Sequence, residues 1–514
     1  MTLPKATEAD IALLLEGTYP YISGGVSGWI HQMIQAYPQY RFALIFIGSR
    51  ADDYAGLRYQ LPSNVVHIEE HYLYEHLQAD FIPSARPGHS QAFAKAQVLI
   101  DALGRHATGM ASTEEVVDAI RTVTKEIMPG GQIPLDDFLY SEGAWELIRK
   151  SYEDYCTDPS FVDYFWTVRI MFQPLWIMAR VARSMLPVRM VHSASTGYAG
   201  FLGALVHDTR GIPFVLSEHG IYTKERQIDL LKSDWIRDNR NIFQRNASEV
   251  SHFRKMWISL FEWMGRYCYA AANPIVALYE TNRQRQIHDG APKERTLNIP
   301  NGIRIAQFAA GRRPEGAPVP PVICLLGRVV PIKDIKTLIR AMRRVVNQYP
   351  EAQAWIVGPA DEDELYAQEC RDLVESLGLQ QQVKFLGFQK TADILSQAGI
   401  LVLSSISEAL PLVVLEAYAA GIPVVTTDVG SCRQLVEGLD GEDKALGPSG
   451  RVVGIASPRS LADAMLELLT DTAAWQAASR SAVARVERFY TDTRMFDSYR
   501  KIYEDALASR KEAR

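Results

Sequence analysis

The chain of 514 residues has only five cysteines, Cys156, Cys268, Cys324, Cys370 and Cys432, scattered and odd in number. No CxxC pair and no Cys/His cluster with zinc spacing occurs, so the sequence predicts neither a disulfide framework nor a structural zinc site, and the thiols read as reduced in the cytosol. A surplus of positive charge is missing too: 54 Lys and Arg stand against 60 Asp and Glu, a formal net charge of −6. That argues against a dedicated nucleic-acid binder, which must neutralise phosphates. No uninterrupted apolar run approaches the ~20 residues that a spanning helix needs. Met1–Asp10 is polar and Ile11–Leu15 is too short for the apolar core of a signal peptide. The expectation is a cytoplasmic protein, with membrane association only peripheral and through partners.

The common catalytic signatures are absent as well. There is no GxxxxGK[ST] loop, no GxSxG elbow and no HExxH. Asp361-Glu362-Asp363 supplies acids, but it reads as the opening of a helix, where carboxylates suit the positive end of the dipole. No metal site is expected.

What is present is an ordinary globular composition, 47% apolar and 22% charged, in a chain long enough for two or more domains. Ile11–Leu15 reads as a buried strand. Val26, Trp29, Ile30, Met33 and Ile34 then recur at helical spacing, and Phe42–Ile47 is a second strand. Strand, helix, strand is the rhythm of a parallel α/β sheet. From about residue 71 to 186 the strand signals fade and helical patterns rich in aromatics replace them, which predicts a helical insertion. The rhythm resumes at Arg189–Ser193, Pro213–Leu216 and Ile275–Leu278. Ala309–Pro321, with Gly, Pro and charge but no periodicity, marks a linker. Beyond it, strands are predicted at Val322–Gly327, Ala354–Val357, Val383–Leu386, Ile400–Leu403, Val424–Thr426 and Arg451–Ile455, and helix from Pro458 onward. The expected division is an N-terminal α/β domain over 1–297 with its insertion, a C-terminal α/β domain over 298–488, and a C-terminal helix over 489–514 that returns to the N-terminal domain. Two such domains outline a GT-B architecture, whose facing sheets would place two sets of loops around one cleft.

Four segments could carry chemistry. Ser23-Gly24-Gly25 with Gly28 follows the first strand; glycines there permit a close backbone approach to a ligand, or serve only to reverse the chain. The motif is not GxGxxG, and Gly48-Ser49-Arg50 after the second strand supplies no acid, which counts against NAD. Gly327-Arg328 with Lys333 puts two cations at a strand end, either a diphosphate clamp or solvated charge. Glu408 through Glu416 brackets Ala409-Leu410-Pro411-Leu412, with one carboxylate in a loop and the second in an apolar helix. A buried Glu needs a partner, for which ribose hydroxyls would serve, and the helix start between them offers N–H groups to phosphate. The alternatives are a first-turn acid for Glu408 and a structural ion pair for Glu416. Ser217-Glu218-His219-Gly220 ends another strand; His219 is a site residue or a structural histidine, and Lys224-Glu225-Arg226 a solvated face or an acceptor-side contact.

Together these segments resemble the retaining GT-B glycosyltransferases of family 4. Glu408 and Glu416 match the family's EX7E motif, and Arg328 and Lys333 its diphosphate-binding cations. The resemblance spans about Asn298 to Ala456. EGTYPYISGGVSGWIHQMI and SEHGIYTKERQ in the first half look more loosely like the cytosolic glycosyltransferases of Pel exopolysaccharide synthesis. The resemblance implies a UDP-sugar donor, a polysaccharide acceptor, partners in an inner-membrane synthase and no cofactor. Glu408 would hold the donor sugar and Glu416 the ribose. Arg328, Lys333 and the N–H groups of Leu410 and Leu412, in the segment Ala409-Leu410-Pro411-Leu412, would hold the diphosphate. His219 would approach the sugar, Gly24 and Gly25 the phosphates, and Phe388 the base. The rival readings are another GT-B reaction, such as epimerisation or phosphorolysis, and a non-catalytic scaffold of a synthase complex.

Overall fold

The computed structural model describes residues 3–74, 86–107, 110–240, 249–314 and 316–512; parts of the expected insertion (75–85 and 108–109) and one residue of the expected linker (315) lie outside them. The chain forms two compact units. The first comprises Met1–Ala277, Arg283–Leu297 and Arg500–Arg514, the second Leu278–Asn282 and Asn298–Tyr499.

The first unit is built on strands β1 (Ala9–Glu16), β2 (Phe42–Gly48), β3 (Val65–Tyr72), β4 (Val188–Ser193), β5 (Phe214–Glu218), β6 (Ile275–Ala277) and β7 (Thr296–Asn298). They lie in the order β3-β2-β1-β4-β5-β6-β7, and the ladders from β3 to β6 are parallel. A parallel sheet is covered on both faces, so its central strands read as continuous apolar runs. β2 is buried along its whole length and β1 nearly so. Helix Tyr198–Arg210 packs on β1, β4 and β5.

The insertion supplies helices Ser90–Ala107, Thr113–Ile127, Leu135–Tyr140, Glu142–Tyr155 and Phe161–Ser184. Three of them begin at a serine that accepts a backbone N–H three residues on: Ser112 from Glu115, Ser141 from Ala144 and Ser160 from Asp163. Each cap satisfies an N–H that the first turn leaves open. Val116, Ile120, Met171 and Met178 of these helices share one core with Leu14, Ile45 and Val191 of the sheet, so the insertion is part of the domain's own core.

The second unit carries β8 (Val322–Leu326), β9 (Gln353–Val357), β10 (Val383–Gly387), β11 (Ile400–Leu403), β12 (Val424–Thr427) and β13 (Gly450–Val453). Their order is β10-β9-β8-β11-β12-β13, parallel throughout. Asp363 caps helix Glu364–Ser376 by accepting the N–H of Tyr366, so the acidic trio does open a helix. Helices Pro458–Thr470, Thr472–Phe489 and Asp492–Glu512 close the chain. Among the described residues no helix is long and apolar enough to cross a membrane.

Two strands, β3 and β7, are not predicted by the apolar runs. β3 pairs only with β2 at the edge of its sheet and ends Glu69-Glu70-His71-Tyr72. Edge strands tolerate such polar residues because one side of the ladder meets solvent, and this erases the apolar run that marks an inner strand. Strand β3 runs to Tyr72, so the helical insertion begins beyond it. Three-residue β7 is too short for any period to register.

Candidate functional site

Both sheets reverse their strand order beside their first strand, between β1 and β4 and between β8 and β11. Loops beyond the carboxyl ends of strands at such a point form the ligand crevice of a doubly wound sheet.

In the second unit, β8 runs into Gly327-Arg328 and a short turn, Pro331–Lys333. Gly327 has φ +156°, and a Cβ there would sit 3.3 Å from Lys333 Cε, so the glycine lets the lysine stem lie across the strand end. Lys333 Nζ donates to Glu408 Oε1 at 2.5 Å, and Ser405 Oγ donates to the same oxygen at 2.7 Å. The two charged side chains are only 18% and 13% exposed. Ser404 Oγ donates to the Lys333 carbonyl and Thr427 Oγ1 to the Ser405 carbonyl, tying the loop after β11 to its neighbours. Gly430, at φ +54°, lies against the carbonyls of Glu408 and Ala409; any side chain there would drive the loop away. Asp334, next to Lys333, is left-handed at φ +43°, a conformation that Asp tolerates better than most residues.

Helix Leu412–Ala419 follows, with Pro411 at its N-cap, no side-chain cap and no acid in its first turn. Glu408 is therefore not a first-turn acid; it lies before the helix, in the ion pair. Leu410 and Pro411 are buried, and Ala409 and Leu412 partly so. Glu416 sits between buried Leu415 and Ala417, and among the described residues no side chain pairs with it. Burial pushes its carboxyl up to about 7. The structural ion pair that would have accounted for Glu416 is not found.

Arg328 stands apart from this cluster. Its guanidinium holds Glu362 at 2.6 Å, and both side chains are about half exposed. Phe388, just past the edge strand β10, is 81% exposed. The structure thus joins Lys333 to Glu408 and leaves Arg328 and Phe388 on open surface.

In the first unit a cavity of about 590 Å³ opens beyond β1, β4 and β5. His219 lines it. Among the described residues its buried Nε2 has no hydrogen-bond partner, and burial pushes its pKa down to about 4, so the ring is neutral at pH 7. Trp29 lies edge-on to it, with centroids 4.5 Å apart. The preceding Glu218, the last residue of β5, accepts from Thr196 Oγ1, Tyr269 OH and Gln286 Nε2. Gly24 and Gly25 begin helix Gly25–Ala36; a Cβ at either would meet nothing within 4 Å among the described residues, so no packing there demands a glycine.

One site residue that the motifs do not single out is Glu16, the last residue of β1. Its carboxylate accepts from Tyr222 OH at 2.7 Å and from the N–H of Ala199 at 3.2 Å. Arg226 donates to the same tyrosine at 3.0 Å and lies over the rings of Tyr222 and Phe261. Arg226 lines this cavity, with Glu16, Tyr222 and Trp235. The signal available for Glu16 is an acid closing an apolar strand.

Residues 320–471 match the family described as Glycosyl transferases group 1. A D-inositol 3-phosphate glycosyltransferase of Kineococcus radiotolerans is 30% identical over 261 residues, 47% of this chain and 60% of that protein. The chain spans about half the length of the curated relatives it matches. Among solved structures, Anabaena HepE in complex with UDP aligns with TM-score 0.56 and 14% identity, over 96% of this chain and all of that one. Sucrose-phosphate synthase of Thermosynechococcus elongatus aligns with TM-score 0.56 and 16% identity, over 97% of this chain and all of that one. At such identities these neighbours establish the fold, two parallel-sheet Rossmann-like domains of the GT-B class. Residues 9–294, more than half of the sequence, match a second family, and the chain accordingly belongs to the family described as Domain of unknown function (DUF3492), with the match to Glycosyl transferases group 1 following it.

Proposed function

We propose that the protein is a retaining glycosyltransferase that moves a hexose or N-acetylhexosamine from a UDP-sugar to a growing exopolysaccharide, an enzyme of the PelF kind. The observation that carries this reading is the largely buried Lys333–Glu408 pair, with Glu408 eight residues before Glu416, a carboxyl without a partner among the described residues, within the segment that matches Glycosyl transferases group 1. UDP is the ligand in the Anabaena HepE structure, and that supports the choice of nucleotide.

In this reading Lys333 exchanges Glu408 for the donor's diphosphate and Glu408 turns to a sugar hydroxyl. Glu416 accepts from the ribose hydroxyls, and the N–H groups of Leu410 and Leu412 complete the diphosphate cradle. Arg328 adds a second cation, and Phe388 covers the base. The anomeric C–O bond to the diphosphate breaks while the acceptor oxygen bonds to the same face of the anomeric carbon. The acceptor proton passes to a phosphate oxygen, and UDP leaves. Fixed donors at the diphosphate stabilise the charge that grows there, which lowers the barrier more than it tightens ground-state binding. Neutral His219 contacts the donor sugar without adding charge, and Gly24 and Gly25 allow a close approach to phosphate. The aromatic and carboxylate lining around Glu16 and Trp235 suits a saccharide acceptor. The reaction is proposed to need no metal or cofactor and to run in the cytoplasm beside inner-membrane synthase partners.

Calorimetric titration with UDP, ADP and GDP in EDTA tests the reading. Selective binding of UDP without metal, lost in Lys333→Ala, is the expected result. Binding of no nucleotide would refute the donor site.

A further inference from the structure

Beneath His219 lies a chain of buried polar groups that the proposed reaction does not use. His192, at the end of β4, is 2% exposed. Its Nδ1 is 2.9 Å from Tyr503 OH and its Nε2 2.9 Å from Ser217 Oγ. Burial, with the nearby His219 adding to it, pushes its pKa down to about 3, so the ring is neutral and carries one proton shared between two nitrogens. One nitrogen must donate and the other accept. A phenol is a better donor and a poorer acceptor than an aliphatic hydroxyl. The arrangement therefore favours Tyr503 OH donating to Nδ1, with Nε2–H donating to Ser217 Oγ.

Ser217 is the last residue but one of β5, which ends at Glu218, and His219 follows in the bend directly beyond the strand. Trp29 binds the cluster together: its ring is edge-on to His192 at 5.8 Å and to His219 at 4.5 Å. Tyr503 is fully buried and wedged edge-on against Tyr37 at 5.3 Å and Tyr40 at 6.1 Å. It comes from helix Asp492–Glu512, at the far end of the sequence, yet it belongs to the first unit.

We propose that Tyr503 and His192 are positioning residues for His219: the hydroxyl of the last helix selects the His192 tautomer, Ser217 anchors the other ring nitrogen, and His192, through Trp29, holds the His219 ring at the cavity wall. The inference rests on the proposed role of His219 at the reacting sugar. The last helix then contributes to the site itself and not only to the core. A buried ring nitrogen left without its hydroxyl loses a hydrogen bond in a place that water does not reach, and this is costly enough to shift a tautomer.

Tyr503→Phe removes one oxygen and keeps the ring packing. Ring ¹H–¹⁵N spectra of histidine-labelled full-length protein give the first readout. The expected result is a change of the His192 nitrogens toward a mixed tautomer, together with displaced His219 signals; Ser217→Ala, at the other end of the chain, should displace the same two rings. Unmoved His219 signals in both variants overturn the proposal. The second readout is turnover with a UDP-sugar: kcat falls roughly tenfold in Tyr503→Phe, the effect of one buried hydrogen bond, while UDP affinity stays within twofold. An equal fall in UDP affinity would indicate a general loosening and overturn the positioning role. If wild-type protein neither binds UDP nor turns over, the functional reading fails, and the ring spectra still decide whether the three groups are coupled.

Discussion

The two sheet ends share a topology and differ in electrical character. In the second unit the loops after β8 and β11 hold fixed opposite charges, Lys333 on Glu408, and the helix that follows carries Glu416, a carboxyl without a partner among the described residues. In the first unit the corresponding loops after β1 and β5 hold a neutral imidazole, phenols and indoles, with Glu16 already committed to Tyr222 and a helix N–H. Strand order and burial are set by the same apolar runs in both. The difference sits in residues at and just beyond the strand ends, in loops and in the first turns of the helices that follow, and for that reason a sheet of this kind fixes where a ligand binds but not which ligand.

Burial acts on both ends in one direction, toward the neutral form, but on groups of opposite type, and this gives the largest expected effects. Glu416 ionises at about 7 when folded, above the ordinary carboxyl value of 4.5. Its contribution to stability is complete below about 4.5 and is lost as the pH rises through about 7. His219 is the mirror case, lowered from 6.5 to about 4. Its contribution is complete above about 6.5 and is lost as the pH falls through about 4. A tenfold change in a proton-binding equilibrium is worth about 1.4 kcal/mol, so each swing is on the order of 3 kcal/mol. Urea unfolding of Glu416→Gln against wild type between pH 5 and 8 should show the variant gaining relative stability as the pH rises; His219→Asn should gain as the pH falls from 6.5 to 4. Parallel curves for either pair would show that the group is solvated or paired in solution.

Next in size is the split between binding and turnover. Lys333→Ala removes a charge-assisted donor from the proposed diphosphate site and should weaken UDP binding by about 1.5–3 kcal/mol. Glu408→Ala should lower turnover more than UDP affinity, since its proposed partner is the sugar. His219→Ala, in the other unit, should lower turnover with UDP affinity unchanged. A His219 variant that loses UDP as strongly as Lys333→Ala does would erase the distinction between the two ends.

These residues are not equally legible in the sequence. The order of strands and helices follows from apolar runs and from helical spacing, because a doubly covered parallel sheet leaves few other places for Val, Ile and Leu. Edge strand β3 escapes because Glu69, Glu70 and His71 are polar. Glu416 stands out because a carboxyl in Leu412–Ala419 interrupts an otherwise apolar helix. Glu16 does not, since an acid at a strand end is indistinguishable from solvated charge until Tyr222 and Ala199, some 200 residues away, are seen to meet it. Tyr503 is hidden for the same reason: nothing within its own helix distinguishes a tyrosine that reaches His192 from one that fills the core.

The smallest effect is expected at Arg328, and it bears on how complete the second site is. The family resemblance places Arg328 with Lys333 in one clamp, yet its guanidinium rests on Glu362 with both side chains half in solvent. An exposed pair of this kind contributes about 0–1 kcal/mol to stability, so Arg328→Ala should leave the unfolding midpoint nearly unchanged. Its effect on UDP affinity should be smaller than that of Lys333→Ala and should shrink further in high salt, because an exposed charge is screened where a buried one is not. Glu362→Gln offers the converse test. If Glu362 competes with the diphosphate for the guanidinium, its neutralisation raises UDP affinity in wild type and does nothing in the Arg328→Ala background. A gain of equal size in both backgrounds would instead mark Glu362 as a general repulsive charge on an incoming anion, leaving Lys333 as the cation that does the gripping.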